Sequence, residues 1–317
     1  MKKEEPILVA IHCLVYNHEP YIRECLNGIA MQKTNFPFVA VVHDDCSTDK
    51  SAQIIREYVN MYPDIFIPLY ETKNQGGKRD GSLTRIMTEA IDATRAKYVA
   101  FCEGDDFWTD PLKLQKQVDF LETHSDYGLV FTHARSYIHE EKRFETELKG
   151  KPIESFEQLL FANTISTLTV VARRDLITQY YSDIQPTKQN WLMGDYPLWL
   201  YCVSKMKIHF IPDITATYRI LANSASHSTD WNKVVQFCES THDIQMFFAE
   251  RENISPSLLH KINNAYEERV ICHMVHASPS KAAKRLKKAK YLTVWQRLII
   301  WMKIIRMSFL FKIGRNY

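Results

Sequence analysis

The chain has 317 residues, 45% of them hydrophobic and 12% aromatic, which excludes a disordered protein and suffices for a full core. No stretch of 18 residues is free of charge, so the sequence predicts no membrane-spanning helix. The net charge of +3 hides an asymmetry. Residues 269–317 hold 12 Lys and Arg and no Asp or Glu, whereas residues 1–268 hold 28 basic and 37 acidic residues. This asymmetry predicts a basic tail with a partner of its own.

Strands and helices alternate over the first 125 residues. Apolar runs predict buried strands at 7–16, 38–42, 65–70 and 98–102. Apolar residues at helical spacing predict four helices. Two lie at 20–32 and 83–94, and the other two begin after a cap at Ser47 or Thr48 and after Asp110. Strands that are apolar on both faces and alternate with helices indicate an α/β fold, with a mostly parallel sheet covered by helices on both sides.

The pattern is less regular after residue 125. Strands are predicted at 127–137, 166–172 and 208–211, with a helix at 196–205. From about residue 230 the chain has a helical pattern to its end. We therefore expect one domain over residues 1–228, divided near residue 125, and a C-terminal helical extension over 229–317.

Two pairs of acidic residues follow predicted strands. Asp44 and Asp45 come after the second strand, and Asp105 and Asp106 come after the fourth. The adjacent carboxylates of Asp105 and Asp106 repel each other and lose stability when desolvated, so a cation is expected to compensate them. In a site made of oxygen ligands, that cation is Mg²⁺ or Mn²⁺. The usual dinucleotide and P-loop fingerprints, GxGxxG and GxxxxGK[ST], are missing.

Five motifs, spread over residues 6–225, resemble those of family 2 glycosyltransferases, enzymes with the GT-A fold. The usual Gly after the first Asp pair of that family is Cys46 in this chain. In chain order the matching segments are Tyr16-Asn17 with Glu19 to Ile29, Asp44 to Asp49, Asn74 to Gly76, Glu103 to Asp106, and Gly194-Asp195.

The resemblance implies a role for each acidic residue. Asp45 would accept a hydrogen bond from the nucleotide base, and a carboxylate facing a ring N–H suits uracil. Asp105 would contact the ribose, and Asp106 would bind Mn²⁺ or Mg²⁺, which bridges the phosphates of the donor. In related enzymes a histidine can complete the metal site, and His227 stands in the corresponding region.

The resemblance also implies a catalytic base and further donor contacts. Asp195 would take the proton of the acceptor hydroxyl in a single displacement with inversion, and it also suits a helix cap before Pro197. The predicted donor-binding residues further include Tyr16, Lys78, Arg79 and Arg219. Lys78 and Arg79 either pair with diphosphate oxygens or form a solvated pair of charges.

The function implied is that of a metal-dependent inverting glycosyltransferase with a UDP-sugar donor and a surface-glycan or lipid-linked acceptor. Residues 1–125 would bind the nucleotide sugar and residues 126–228 the acceptor. Two alternatives stay open: a glycoside hydrolase with two carboxylates, and a non-catalytic nucleotide-sugar-binding scaffold at a membrane.

The C-terminal tail allows two interpretations. Residues 281–290 form a basic cluster, and residues 292–313 are rich in Trp, Ile, Met, Leu and Phe with interspersed basic residues. Such a segment either lies in the headgroup layer of an anionic membrane or docks on the catalytic domain. No recognition motif accompanies the cluster, so nucleic acid is not expected as a partner. Seven scattered cysteines without CxxC predict a reduced, cytoplasmic protein, peripheral on the membrane if the tail binds there.

Overall fold

The computed structural model describes residues 6–78, 80–221 and 230–313, the last three of these by their backbone alone. The strands are β1 (Val9–Val15), β2 (Phe38–Asp44), β3 (Phe66–Tyr70), β4 (Tyr98–Phe101), β5 (Phe107–Trp108), β6 (Tyr127–Ile138), β7 (Arg143–Lys149), β8 (Val171–Arg173) and β9 (Lys207–Ile220). The α-helices are α1 (Ile22–Ala30), α2 (Ser51–Met61), α3 (Ser82–Ala93), α4 (Lys113–Thr123), α5 (Phe156–Phe161), α6 (Arg174–Ile184), α7 (Asp195–Lys205), α8 (Trp231–Arg251), α9 (Pro256–Ala277), α10 (Pro279–Lys288) and α11 (Val294–Ile313).

The chain forms two compact units. The first comprises the residues up to Phe156, Thr164–Gln189 and Leu198–Ile220, and it contains the sheet. The second comprises Glu157–Asn163, Asn190–Pro197 and the residues from Leu221 onward. The predicted boundary at 228/229 stays a prediction, because residues 222–229 lie outside the described residues.

The described strands of the first unit form one mixed sheet in the order β3-β2-β1-β4-β8-β6-β9-β5, with β7 paired to β6. The half made of β3, β2, β1 and β4 is entirely parallel. Strands β6 and β9 also run parallel, whereas β5, β7 and β8 join by antiparallel pairing. The α/β fold predicted from the sequence is confirmed.

Burial explains why the first half of the sheet is parallel and central. Six of the seven residues of β2 and all four of β4 are buried, which leaves no polar face for solvent. Helix α1 buries a single stripe of apolar residues at helical spacing: Ile22, Cys25, Leu26 and Ile29. These residues belong to the same core cluster as the apolar residues of β1.

Three local predictions were wrong in detail. Helix α2 begins at Ser51, and Ser47 and Thr48 do not cap it, because both bond Asn17 in the preceding loop. The strand predicted at 166–172 is a 3-10 turn (Thr167–Thr169) followed by the short β8. The strand predicted at 208–211 continues to Ile220, because β9 pairs along β6 through several register shifts that accommodate its Pro212-Asp213.

The second unit contains four C-terminal helices, α8 to α11, in the segment where the sequence predicts a helical pattern. Asp230 and Ser255 cap α8 and α9, each accepting a hydrogen bond from a backbone N–H of the first turn. Apolar residues of α9, α10 and α11 form a separate cluster. Among the described residues no helix is both long and apolar enough to cross a bilayer.

Candidate active site

Both acidic turns are attached to the end of β1. The backbone N–H of Asp45 donates to the carbonyl of Val15 at 2.9 Å, and that of Gly104 donates to the carbonyl of Leu14, also at 2.9 Å. Because β2 and β4 flank β1 in parallel, their carboxyl ends meet at one edge of the sheet. Asp45 and the Asp105-Asp106 turn therefore lie on either side of β1, in the crevice where α/β proteins bind ligands.

Asp45 organises the loop after β3. Its two carboxylate oxygens accept hydrogen bonds from the backbone N–H groups of Gln75 at 2.6 Å and Gly76 at 2.9 Å. A Cβ on Gly76 would lie 3.1 Å from an Asp45 oxygen, so a side chain there would press on the carboxylate. The carboxylate is 5% exposed and keeps lone pairs for a further donor. The two backbone donors carry no signal in the sequence, although the Asn-x-Gly motif marks the loop that provides them.

Two residues in the left-handed region lie at the first acidic turn, one within it and one in the loop after β1 that bonds it. Cys46 has φ 64° and Asn17 has φ 55°. A left-handed residue is most easily a glycine, which explains why the family usually has Gly at the position of Cys46. The backbone N–H of Asn17 donates to Ser47 at 2.9 Å, which joins the end of β1 to this turn. Tyr16, next to Asn17, is 46% exposed.

The second acidic turn is held by β9. Strand β5 follows the turn directly and pairs antiparallel with β9, which brings Arg219 opposite the two aspartates. The backbone N–H of Arg219 donates to Oδ1 of Asp106 at 2.7 Å, and its Nε donates to the carbonyl of Asp105 at 2.7 Å. Asp106 is buried and Asp105 is half-buried.

The guanidinium of Arg219 is fully engaged by the protein. One terminal nitrogen donates to Glu24 of α1 at 2.6 Å, and the other lies 3.3 Å from Nδ1 of His139. Three aromatic rings, those of Tyr21, Phe107 and Tyr137, lie 5.0 to 5.6 Å from its central carbon. Glu24 could not be recognised from the sequence, because a single acid on an amphipathic helix carries no signal of a partner 195 residues away.

The electrostatics of Asp106 fit a divalent cation. Burial, and then the neighbouring charge of Asp105, raise the pKa of the Asp106 carboxyl well above its ordinary value. Among the described residues, no group of three or more His, Cys, Asp and Glu side chains is placed to hold a metal ion. The carboxylates of Asp105 and Asp106 fit Mg²⁺ or Mn²⁺, which take one or two carboxylates and obtain further oxygen ligands from substrate phosphates and water.

The other predicted residues are placed as follows. Lys78 is exposed, and its Nζ donates to the Oε1 of Gln75 in the same loop. Asp195 is the first residue of α7 and belongs to the second unit, where its Oδ1 accepts from the N–H of Tyr196 at 2.7 Å. Arg79 and His227 lie outside the described residues, so their predicted roles stay predictions.

Two acidic turns beyond the carboxyl ends of parallel strands define an α/β protein with a ligand crevice at that edge. The model of glycosyl transferase family 2 matches residues 11–178, more than half of the chain, and includes both turns. The chain belongs to glycosyl transferase family 2, which confirms the prediction from the motifs.

Curated relatives cover much of the same region. An uncharacterized protein of Mycobacterium tuberculosis is 36% identical over 223 residues, which are 69% of this chain and 61% of that protein. The chain therefore spans about three fifths of the length of that relative. The putative teichuronic acid biosynthesis glycosyltransferase TuaG of Bacillus subtilis is 25% identical over 71% of this chain and 83% of its own.

Solved structures confirm the predicted GT-A fold. Staphylococcus aureus TarS 1-349 in complex with UDP-GlcNAc superposes with a TM-score of 0.53 at 17% identity, covering 88% of each chain. The mannosyltransferase PcManGT of Pyrobaculum calidifontis, in complex with GDP-Man and Mn²⁺, gives a TM-score of 0.57 at 16% identity over 97% of this chain and 90% of its own.

Proposed function

We propose that this protein is a metal-dependent inverting glycosyltransferase that moves a sugar from a nucleotide sugar to an acceptor hydroxyl. One observation carries the proposal: Asp45 and the Asp105-Asp106 turn are hydrogen-bonded to consecutive residues at the end of β1. One edge of the sheet thus provides contacts for a nucleotide base at the first turn and for a diphosphate at the second.

The proposed donor is a UDP-sugar. Asp45 offers a carboxylate to a ring N–H, which uracil possesses. The related TarS is named a poly(ribitol-phosphate) beta-N-acetylglucosaminyltransferase, and its solved complex contains UDP-GlcNAc. PcManGT binds GDP-Man, so the fold alone accommodates more than one nucleotide. The proposal of UDP therefore depends on Asp45 together with the likeness to TarS, and not on the fold.

Asp106 is the proposed ligand of Mn²⁺ or Mg²⁺, with His227 as a second candidate. The ion, when bound, stabilises the negative charge that builds on the leaving diphosphate. Asp105 is proposed to contact the ribose. Arg219 keeps the two aspartates in place, because its backbone N–H and its Nε hold Asp106 and Asp105 respectively.

Tyr16 and the loop cations complete the proposed donor site. Tyr16 is exposed beside the first turn, where it can cover a bound nucleotide. Lys78 and Arg79 are proposed to reach diphosphate oxygens. Lys78 would exchange its hydrogen bond with the neutral amide of Gln75 for a stronger one to a charged oxygen.

Asp195 is the proposed general base. An acceptor hydroxyl is a poor nucleophile at neutral pH, and a carboxylate within hydrogen-bond reach takes its proton as the new bond forms. The proposed acceptor is a surface glycan or a lipid-linked glycan, on the cytoplasmic face of a membrane. TuaG, whose name places it in teichuronic acid biosynthesis, supports an acceptor of this class.

The test is thermal unfolding of the protein with UDP, GDP, dTDP, CDP or ADP, each with Mn²⁺ and with chelator. A ligand that binds the native state raises the midpoint by mass action. We expect a metal-dependent rise with UDP, followed by sugar release from a UDP-sugar when acceptor is added. A shift without any sugar release would favour the scaffold. No shift with any nucleotide, together with chelator-resistant cleavage of a glycan, would favour the hydrolase.

A further inference from the structure

Helix α11 has two apolar faces, and only one of them is buried. Ile300 and Ile304 pack with residues of α9 and α10, among them Ile271 and Leu286. Arg297 holds the connection between α10 and α11 in place. It donates to the carbonyl of Leu286 in the last turn of α10 and to those of Ala289 and Leu292, which follow that helix. One face of α11 is therefore anchored on α9 and α10, within its own unit.

The opposite face of α11 is exposed and almost wholly apolar. At 100° per residue its exposed apolar side chains form one continuous arc of about 180° around the helix. Arg306 lies within the arc and Lys303 borders it. The members are Val294, Trp295, Leu298, Ile299, Trp301, Met302, Ile305, Phe309 and Leu310. A contiguous apolar patch of this kind marks an interaction surface.

The neighbouring helix supplies uncompensated positive charge. Arg285 is paired with Glu239, but the remaining basic residues of this segment are exposed lysines. Among the described residues of the second unit, none of these lysines forms an ion pair. They are Lys281, Lys284, Lys287, Lys288 and Lys290. Because residues 269–317 contain no Asp or Glu, α10 and α11 carry positive charge only.

We infer that α10 and α11 bind the surface of an anionic lipid bilayer. The exposed arc of α11 enters the headgroup layer, and the lysines of α10 meet the lipid phosphates. Trp295 and Trp301 lie on the arc, and tryptophan is the side chain that most favours this layer. Interspersed charges keep α11 from spanning the bilayer, in agreement with the absence of a spanning helix among the described residues.

The charges also decide against a second copy of the chain on this surface. A symmetric dimer through α11 would bring two wholly basic segments together, and like charges at close range oppose association. An anionic bilayer offers the opposite sign over an extended plane. The inference rests on α10 and α11 alone, so it stands or fails independently of the proposed transferase activity.

The first test is co-sedimentation of the full chain with vesicles. We expect binding to vesicles of equal parts phosphatidylcholine and phosphatidylglycerol, little binding to phosphatidylcholine alone, and weakening by salt. The wild-type chain also gives a measurement that needs no substitution. Brominated acyl chains in the anionic vesicles should quench tryptophan fluorescence, because Trp295 and Trp301 enter the bilayer surface.

Matched substitutions separate the contribution of the apolar arc of α11 to vesicle binding from that of the lysines. Trp295→Glu should abolish binding, whereas Met61→Glu should leave it unchanged; both side chains are largely exposed (74% and 56%), but Met61 lies in the first unit. Replacing Lys284, Lys287 and Lys288 by Gln should weaken binding by about fivefold per lysine. Unchanged thermal midpoints would show that the variants are folded.

Three results would overturn the inference. The first is the absence of binding and quenching with anionic vesicles. The second is equal binding to neutral vesicles without dependence on salt. The third is a wild-type dimer, measured by light scattering, that Trp295→Glu converts to a monomer while vesicle binding persists, since a second copy would then cover the arc.

Discussion

The backbone N–H of Arg219 donates a 2.7 Å hydrogen bond to Oδ1 of Asp106, across 113 residues of sequence. The same residue bonds the carbonyl of Asp105 and forms a 2.6 Å ion pair with Glu24. Strand β9 and helix α1 are thereby joined to the turn that carries the proposed metal ligand. The position of this turn depends on a tertiary contact and not on the turn sequence alone.

We expect Arg219→Met to lower the free energy of unfolding by about 2 kcal/mol. The variant loses the contacts of the guanidinium with Asp105, Glu24 and His139, although Glu24 is half exposed and regains water. Arg23→Met is the matched control, because Arg23 and Glu57 form an equally short ion pair on the surface, where solvent screens the charges and the loss costs little. Urea unfolding measures both, and equal losses would contradict a special role of Arg219.

The parallel half of the fold was predictable because its signal is local. Strands β2 and β4 are buried on both faces, so their runs are apolar throughout, and the acidic pairs follow at their ends. Strand β9 was underestimated, because Pro212 and Asp213 are turn residues by composition, and pairing with β6 overrides them. The strand order around β8 depends on contacts between distant segments that no local pattern records.

The candidate site was likewise predictable where its signal is local and not where it depends on distant contacts. The motifs identified Asp45 and Asp106, because the family's residue types stand at fixed spacing in this chain. The motifs carry no trace of the Glu24–Arg219 pair or of the Gln75 N–H that bonds Asp45, because each forms only when separate elements pack. Cys46 departs from the family, and its left-handed backbone shows why the family favours Gly there.

Asp106→Asn tests the proposed metal ligand. The amide keeps an oxygen for the N–H of Arg219 but removes the charge, so we expect the Mn²⁺-dependent rise in midpoint with UDP to disappear. Without ligands the variant should be as stable as the wild type or more so, because burial raises the pKa of Asp106 and its charge is costly.

The control for this experiment is Asp213→Asn, which removes a half-exposed carboxylate of β9 that pairs with Lys116. It should keep the full metal-dependent shift. Thermal unfolding with UDP, with and without Mn²⁺, compares the two variants directly. Persistence of the shift in Asp106→Asn would remove Asp106 from the proposed metal site.

Asp195→Asn tests the proposed base. The variant retains an acceptor for the N–H of Tyr196 at the start of α7, so we expect it to fold and to bind UDP like the wild type. Transfer should fall by about 10²–10⁴-fold, because an amide cannot take the proton of the acceptor. Asp175→Asn, which changes an exposed acid in the first turn of α6, should leave transfer unchanged. Transfer at the wild-type rate in Asp195→Asn would refute the assignment.

Lys113 predicts an unusual dependence of stability on pH. Its side chain is fully buried, with Nζ 2.7 Å from Oε1 of Gln117 and 4.4 Å from the centre of the Trp108 ring. Burial lowers the pKa of Lys113 to about 7, whereas the unfolded chain restores a pKa of about 10.4. Between these values the unfolded state binds more protons than the folded state. The free energy of unfolding therefore gains a contribution from Lys113 that rises with pH over this window.

The Lys113→Met variant isolates that contribution. It leaves Oε1 of Gln117 without the Lys113 donor, so its absolute stability combines two opposing effects, but its slope against pH is diagnostic. Relative to the variant, the free energy of unfolding of the wild type should rise by up to about 1.4 kcal/mol per pH unit between about pH 7 and about pH 10. In the control Lys97→Met, the free energy of unfolding should rise with pH as it does in the wild type over most of this window. The ion pair with Glu122 raises the pKa of Lys97, so this lysine stays protonated there in the folded and unfolded states alike. Urea unfolding across this range measures all three proteins, and parallel curves for the wild type and Lys113→Met would mean that Lys113 stays protonated in the folded core.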